Sequence, residues 1–282
     1  MKKQQWITAA IGFCLVIIIY FFGRTVPLKT AASVDAPESA TMHISADTLI
    51  AHAKEQLSAE QVMRLNQLEN SISRGDVKNQ QLEVYHQLSH FWKDTARLFE
   101  PYAWYEAEAA RLENSEKSLT FAAHLLLNNL QGEGNPALKQ WKATQAKDLF
   151  ERSLKLNPDN DSSAVGLGAC YLFGNIAENP MEGIIKVKNV LDKDSTNVFA
   201  LMTLGHGSTL SGQSDKAIAR FEQVHRLQPQ NLEAILSLAD IYEKKGNTEL
   251  AISWYKKSLP LIAIPALSAE VERRINDLNK KQ

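Results

Sequence analysis

Few residues in this 282-residue sequence stand at spacings that suit chemistry. The run Gly205-His206-Gly207-Ser208 sets an imidazole and a hydroxyl among glycines. A phosphate cradle of that composition needs a strand before it and a helix start after it. Here the run sits inside a helical apolar pattern, so its glycines read as close-packing positions. His86 and His90 are one helical turn apart and place two imidazoles on one face. A zinc site needs at least one more ligand, and no third one stands nearby, so packing or solvated histidines are the better reading. Cys14 and Cys170 lie too far apart to suggest a disulfide framework; Cys170, in an apolar helical pattern, reads as a small core residue. No Gly-x-Ser-x-Gly elbow, His-Glu-x-x-His helix or Cys-x-x-Cys pair is present. Asn160-Asp161-Ser162 is a glycosylation sequon, relevant only in a eukaryotic secretory setting. The dense aromatic cluster Phe91, Trp92, Phe99, Tyr102, Trp104 and Tyr105 reads as core between helices, with an exposed ligand-holding patch as its rival reading. The expectation is therefore no catalytic residue, no metal and no cofactor.

Charge and composition narrow the classes further. Lys+Arg 31 against Asp+Glu 32 gives a formal net charge of -1. Nucleic acid is not expected as a partner, because phosphate binding needs a concentrated positive surface. A hydrophobic fraction of 44% is enough for a packed core.

The elements that carry these residues begin with residues 6–23, an almost wholly apolar run bounded by Trp6 and Tyr20. It is just long enough to cross a hydrocarbon core of about 30 Å. Lys2 and Lys3 precede it and favour a cytoplasmic N-terminus, residues 1–5, with the remainder outside. A cleaved signal peptide is the rival reading; the run exceeds the usual apolar region, and Arg24 and Pro27 interrupt the approach to a cleavage site. A lipoprotein and a buried core helix fit less well. Residues 24–46 show no apolar period and read as a flexible linker.

Downstream the sequence repeats itself. An offset of 34 places Leu201 on Ile235, Leu204 on Leu238, Gly205 on Ala239, Gly212 on Gly246, Ala217 on Ala251 and Phe221 on Tyr255. Small residues at Gly205, Ala239, Ala217 and Ala251 let paired helices approach, and Phe221 and Tyr255 fill the space between units. Gly212 and Gly246 suit the left-handed end of a helix, and Pro229 cannot continue one. Leu167, Gly168 and Tyr171, then Gly183, Ile184, Val187 and Val190, carry the pattern upstream, and Ala146, Phe150, Leu154 and Pro158 end an earlier unit whose first helix is 115–130. Asn-rich junctions such as Asn157 to Asp161 end one helix and cap the next.

This spacing and residue alternation resemble the tetratricopeptide repeat. The layout also resembles N-terminally membrane-anchored proteins of that family in bacterial envelopes. The resemblance implies an all-α superhelix of helix-turn-helix units preceded by one transmembrane helix. The units run over about 115–160, 161–197, 198–231 and 232–265, within an array spanning 115–265. Residues 47–114 form a helical region of degenerate repeats or a cap, with helices over 57–73 and 77–99 separated by Gly75-Asp76, and another through Pro101 to 113. Residues 131–140 and 173–180 read as inserted loops, and 266–282 as a polar capping helix.

In this family the concave groove is lined by first-helix positions. The register places Thr120, His124 and Asn128 there in one unit, then Val165, Ala169 and Leu172, then Phe199, Met202 and His206, then Glu233, Leu236, Asp240 and Glu243. The lining shifts from polar through apolar to acidic. The family's carboxylate clamp is disfavoured, because Asp240 and Glu243 repel a carboxylate; a segment with an apolar middle and a basic end fits better. The resemblance thus implies a scaffold or adaptor that binds a protein or peptide partner, anchored in a bacterial inner membrane by its N-terminal helix, with the repeats in the periplasm. An accessory subunit of a membrane assembly, of the envelope biogenesis, secretion or cytochrome maturation type, is the alternative. An enzyme would need a polar pocket built from the two inserted loops.

Overall fold

The computed structural model describes residues 44–72, 78–176 and 180–280, and among these the regular structure is helical throughout. The expected membrane span over 6–23, most of the 24–46 linker and the Gly75-Asp76 turn lie outside them. Among the described residues no helix is long and apolar enough to cross a membrane.

Thirteen α-helices follow one another among the described residues: α1 Ala46–Lys54, α2 Ala59–Ile72, α3 Lys78–His90, α4 Phe99–Glu113, α5 Glu116–Asn128, α6 Pro136–Leu156, α7 Asp161–Phe173, α8 Met181–Lys193, α9 Val198–Leu210, α10 Ser214–Leu227, α11 Leu232–Lys244, α12 Thr248–Ser258 and α13 Pro265–Asn279. Each packs mainly on its chain neighbours. The tightest pairs are α5–α6, α7–α8, α9–α10 and α11–α12, and α7 also meets α5 and α9. Each such pair is a helix-turn-helix unit of a first and a second helix, and α9–α10 and α11–α12 are the two related by the 34-residue offset. Upstream, α3 pairs with α4, α4 packs on α5, and α1 folds back onto α4.

Local chemistry explains the boundaries. Asn135, Asn160, Asn197, Asn231 and Asn247 each turn a side-chain oxygen to first-turn N–H groups of α6, α7, α9, α11 and α12. An N-cap of this kind satisfies donors that the helix leaves unpaired. Gly212 and Gly246, just after α9 and α11, have φ of 72° and 74°, the left-handed geometry that closes a first helix at no steric cost. In α7, a Cβ on Gly166 would stand 2.2 Å from Phe150 Cζ; on Gly205 in α9 it would stand 2.6 Å from Phe221 Cε1. The small positions therefore exist because aromatic rings of the second helices occupy that space.

Several expectations need correction. Phe221 lies over Gly205 of its own unit and so fills space within the unit, while Phe150 reaches across a junction to Gly166. The inserted loop expected over 131–140 ends at Asn135, because Asn135 caps and Pro136 occupies the first turn of the 21-residue helix α6. The helix expected over 77–99 stops at His90; a π-helical turn, Phe91–Ala96, follows, and Arg97 in the left-handed region (φ 59°) breaks it. The helix α1 was not foreseen within the region read from 47 onward. The capping helix α13 starts at Pro265 and is amphipathic, with Val271, Ile275 and Leu278 buried.

The core is a chain of apolar clusters along the stack. Ala103, Leu119, Leu126, Trp141, Leu149, Phe150 and Cys170 hold the first units together, and Leu201, Phe221, Ile235, Leu238, Tyr255 and Ile275 the last. Cys170 is fully buried, and burial pushes its thiol far above the usual range. Phe91, Trp92 and Tyr105 are buried, so the aromatic cluster is core at its centre.

Candidate protein-binding groove

One first-helix position, recurring along the array, sets the character of each unit. It is His124 in α5, Ala169 in α7, His206 in α9 and Asp240 in α11. His124 packs edge-on against Phe150, with ring centroids 5.1 Å apart, and shares a 2.7 Å hydrogen bond with Ser162 of α7. His206 meets Phe221 at the same 5.1 Å and bonds Glu233 of α11 at 2.8 Å. Asp240 accepts from the Tyr255 hydroxyl at 2.5 Å and pairs with Arg274 of α13 at 3.2 Å. One motif recurs: a polar first-helix side chain rests on the aromatic of its own second helix and bonds the next first helix. Arg274 lies 34 residues after Asp240, so α13 takes the place of a fifth first helix.

Ala169 breaks this series. A methyl group stands where the flanking units carry imidazoles, and no side chain bridges α7 to α9 from that position. The space left is a cavity of about 280 Å³. Its apolar wall is Ala169, Phe173, Phe199 and Met202, and its rim carries Asn128, Gln131, His206 and Glu233. Both amides on the rim, Asn128 and Gln131, are exposed and have no partner among the described residues. A second hollow of about 330 Å³ continues past Gln131, Phe173 and His206 toward Leu210, which is 72% exposed. Burial pushes the His124 imidazole below its ordinary value. The hydrogen bond from His206 holds the Glu233 carboxyl below the usual range.

Of the residues expected to line the groove, Asn128, Ala169, Phe199, Met202, His206 and Glu233 meet at this one cavity. Thr120 does not: its hydroxyl bonds Ser153 at 2.9 Å and Ser163 at 3.1 Å and is spent joining α5, α6 and α7. His124 lies one step along, against Phe199. Leu236 packs into the core of the last units. Asp240 and Glu243 both accept from Tyr255 and are both paired by Arg274. The acidic end of the groove thus carries one counter-charge against two carboxylates, which weakens the preference for a basic segment end. Phe173 and Gln131 line the cavity without having been expected there. Phe173 follows from the register, since it is the equivalent of Asn128; Gln131 belongs to an inserted loop outside any repeat pattern.

Other chemistry does not assemble. Among the described residues no group of three His, Cys, Asp or Glu side chains is placed to hold a metal. His90 pairs with Asp94 on its own helix turn, while His86 faces a separate hollow beside Glu106 and Phe121. Gly205 and Gly207 lie within α9, with no strand before them.

Comparison with known proteins agrees with this geometry. Residues 209–260 match the tetratricopeptide repeat family. No curated protein matches the chain in sequence. A tetratricopeptide repeat protein from Parabacteroides merdae superposes with a TM-score of 0.54 at 13% identity, over 83% of this chain and 87% of that one. PilW, described as a widely conserved type IV pilus biogenesis factor, superposes with a TM-score of 0.51 at 19% identity, over 73% of this chain and 87% of that one. At these identities the likeness is one of fold.

Proposed function

We propose that this chain, a tetratricopeptide-repeat protein, holds an extended segment of a partner protein across α5, α7, α9 and α11, with a bulky apolar side chain of that segment seated beside Ala169. The observation that carries this reading is the break at Ala169. Among the described residues the flanking first helices are bridged by side chains of the array itself, and here the groove opens into an apolar hollow rimmed by unpaired amides. Asn128 and Gln131 can each donate to and accept from a peptide backbone, and the apolar wall supplies the burial that holds a side chain. Binding of this kind needs no covalent step, and the role is that of a scaffold or adaptor.

The same reading makes residues 6–23 a single membrane anchor. Their apolar length and the lysines before them support a span in a bacterial inner membrane with the repeats on the periplasmic side. Protease added from each side of sealed vesicles tests this: cleavage of the repeats from the cytoplasmic side would contradict it.

For the groove, Ala169→His installs the side chain that the flanking units already carry and fills the hollow. Partner recovery by the full-length chain from its own membranes, quantified by mass spectrometry, should fall by at least roughly tenfold, about 1.4 kcal/mol. The melting temperature should change little, because the added ring enters space that is already open. Undiminished recovery would sink the proposal.

A further inference from the structure

Away from the groove, a cavity of about 210 Å³ opens between α8, α9 and α10. Lys188, Lys216 and Arg220 line it, together with Ser208, Ile184 and Leu204. None of these residues borders the cavity beside Ala169. Ser208 lies two residues past His206, about 200° around α9, so the two hollows open on different faces of that helix.

The charge balance of this cleft is unusual within the molecule. Arg111 is paired by Glu108 and Asp148, Arg152 by Asp148, Arg274 by Asp240 and Glu243, and the buried Lys142 by Glu100 and Glu133. Arg220 is half-buried, yet its guanidinium meets no carboxylate among the described residues; one nitrogen donates to Ser208 Oγ at 2.7 Å and weakly to the Lys216 carbonyl. Burial draws its proton affinity down, with no opposing charge to offset this. Among the described residues, Lys216 has only the amide oxygen of Gln213, at 2.6 Å, and Lys188 has no partner. Asp215, beside Lys216 in sequence, is engaged by Lys245 from beyond α11. Helix α10 also starts without a side-chain cap, unlike α9, α11 and α12, so its first-turn N–H groups are open. A partly buried cation without a counter-charge is costly, and three converging cations make the cost larger. A bound oxyanion removes it.

We propose that this cleft is a binding site for a phosphate monoester bearing a small apolar group. The planar guanidinium of Arg220 matches a phosphate edge. Lys188 and Lys216 balance its second charge, Ser208 adds a hydroxyl, and Ile184 with Leu204 forms the apolar floor for the organic group. The monoester can come from a free small molecule or from a lipid headgroup, and the chemistry recognised is the same.

Phenyl phosphate titrated into the full-length chain by calorimetry should bind saturably and more tightly than inorganic phosphate. Vesicles of phosphatidylcholine with and without phosphatidic acid form the second arm. Binding in that arm alone assigns the site to a lipid headgroup, and binding of phenyl phosphate alone to a free ligand. In whichever arm binds, the double variant Lys188→Gln/Lys216→Gln should weaken it at least roughly tenfold, and Arg220→Gln more. Both lysines are exposed, so the double variant keeps the fold. The surface pair Lys244→Gln/Lys256→Gln, with the same change of charge, should leave binding intact. No saturable binding in either arm, binding retained in the Lys188/Lys216 variant, or equal loss in the surface control overturns the proposal.

Discussion

The side chain at the outward first-helix position changes from imidazole to methyl to imidazole to carboxylate along the array, and the partner site follows from that one alternation. The same economy governs the glycines. At Gly166 a methyl group would meet the fully buried Phe150 ring at 2.2 Å, and a ring held on all sides cannot yield. Gly166→Ala should therefore cost about 1–3 kcal/mol, read as a fall in denaturant midpoint at constant m-value. At Gly212 nothing lies within 4 Å, but φ is 72°; Gly212→Ala should cost about 1 kcal/mol, from backbone strain alone. A larger loss at Gly212 than at Gly166 would show that turn geometry, not helix contact, limits the array. Gly205, the left-handed Gly212 and Gly246 and the Asn-rich junction at 157–161 were legible in the sequence, because each is fixed by local geometry; Gly166 was not, because its partner ring, Phe150, comes from the preceding unit. The bonds of Asp240 and Glu243 were not. They depend on Arg274, which stands in register with Asp240 but on a helix whose polar sequence hides the repeat.

Among the elements, the segment between α5 and α6 shows how an insertion is held in place. Lys142 of α6 is 1% exposed, and its ammonium donates to Glu133 and Asn129, both at 2.6 Å, and pairs with Glu100 of α4 at 3.0 Å. It also lies over the Phe99 ring. This one cation ties the inserted segment to the second helix before it and so positions Gln131 at the rim of the groove. The hydrogen bond from Lys142 holds the Glu133 carboxyl below its usual range. A carboxyl depressed on folding contributes stability above its unfolded value of about 4.3, and that contribution is lost as pH falls through the depressed folded value. Glu133→Gln lacks the negative charge at every pH. The gap in melting temperature between wild type and Glu133→Gln should thus be constant above about pH 5 and close as the pH falls through the depressed folded value. A gap that persists in acid would mean the variant acts through packing. The sequence marked this segment as inserted but misplaced its end. Proline reads equally as loop or as helix start, and only the Asn135 cap decides between them. The helix expected to run on to residue 99 failed for a related reason: a π-helical turn keeps the apolar period while changing the backbone.

At the scale of the whole molecule, the described units form one stack in which first helices succeed each other from α5 to α13, and α13 closes the far end by covering the last unit with Val271, Ile275 and Leu278. An open array must end on such a face, apolar inward and polar outward. The groove is opened by the single unit that lacks a bridging side chain, near the middle of the stack, and this is the central claim. It is tested most directly by placing a photocrosslinking residue at Asn128 on the rim, and for comparison at Lys256 on α12, in the full-length chain in its own cells. The account predicts a protein adduct at Asn128 and none at Lys256. The crosslinked peptide should carry a large apolar residue within a few positions of the crosslink, and Ala169→His should abolish the adduct. An Asn128 adduct that persists in Ala169→His, or one matched in yield at Lys256, would contradict it.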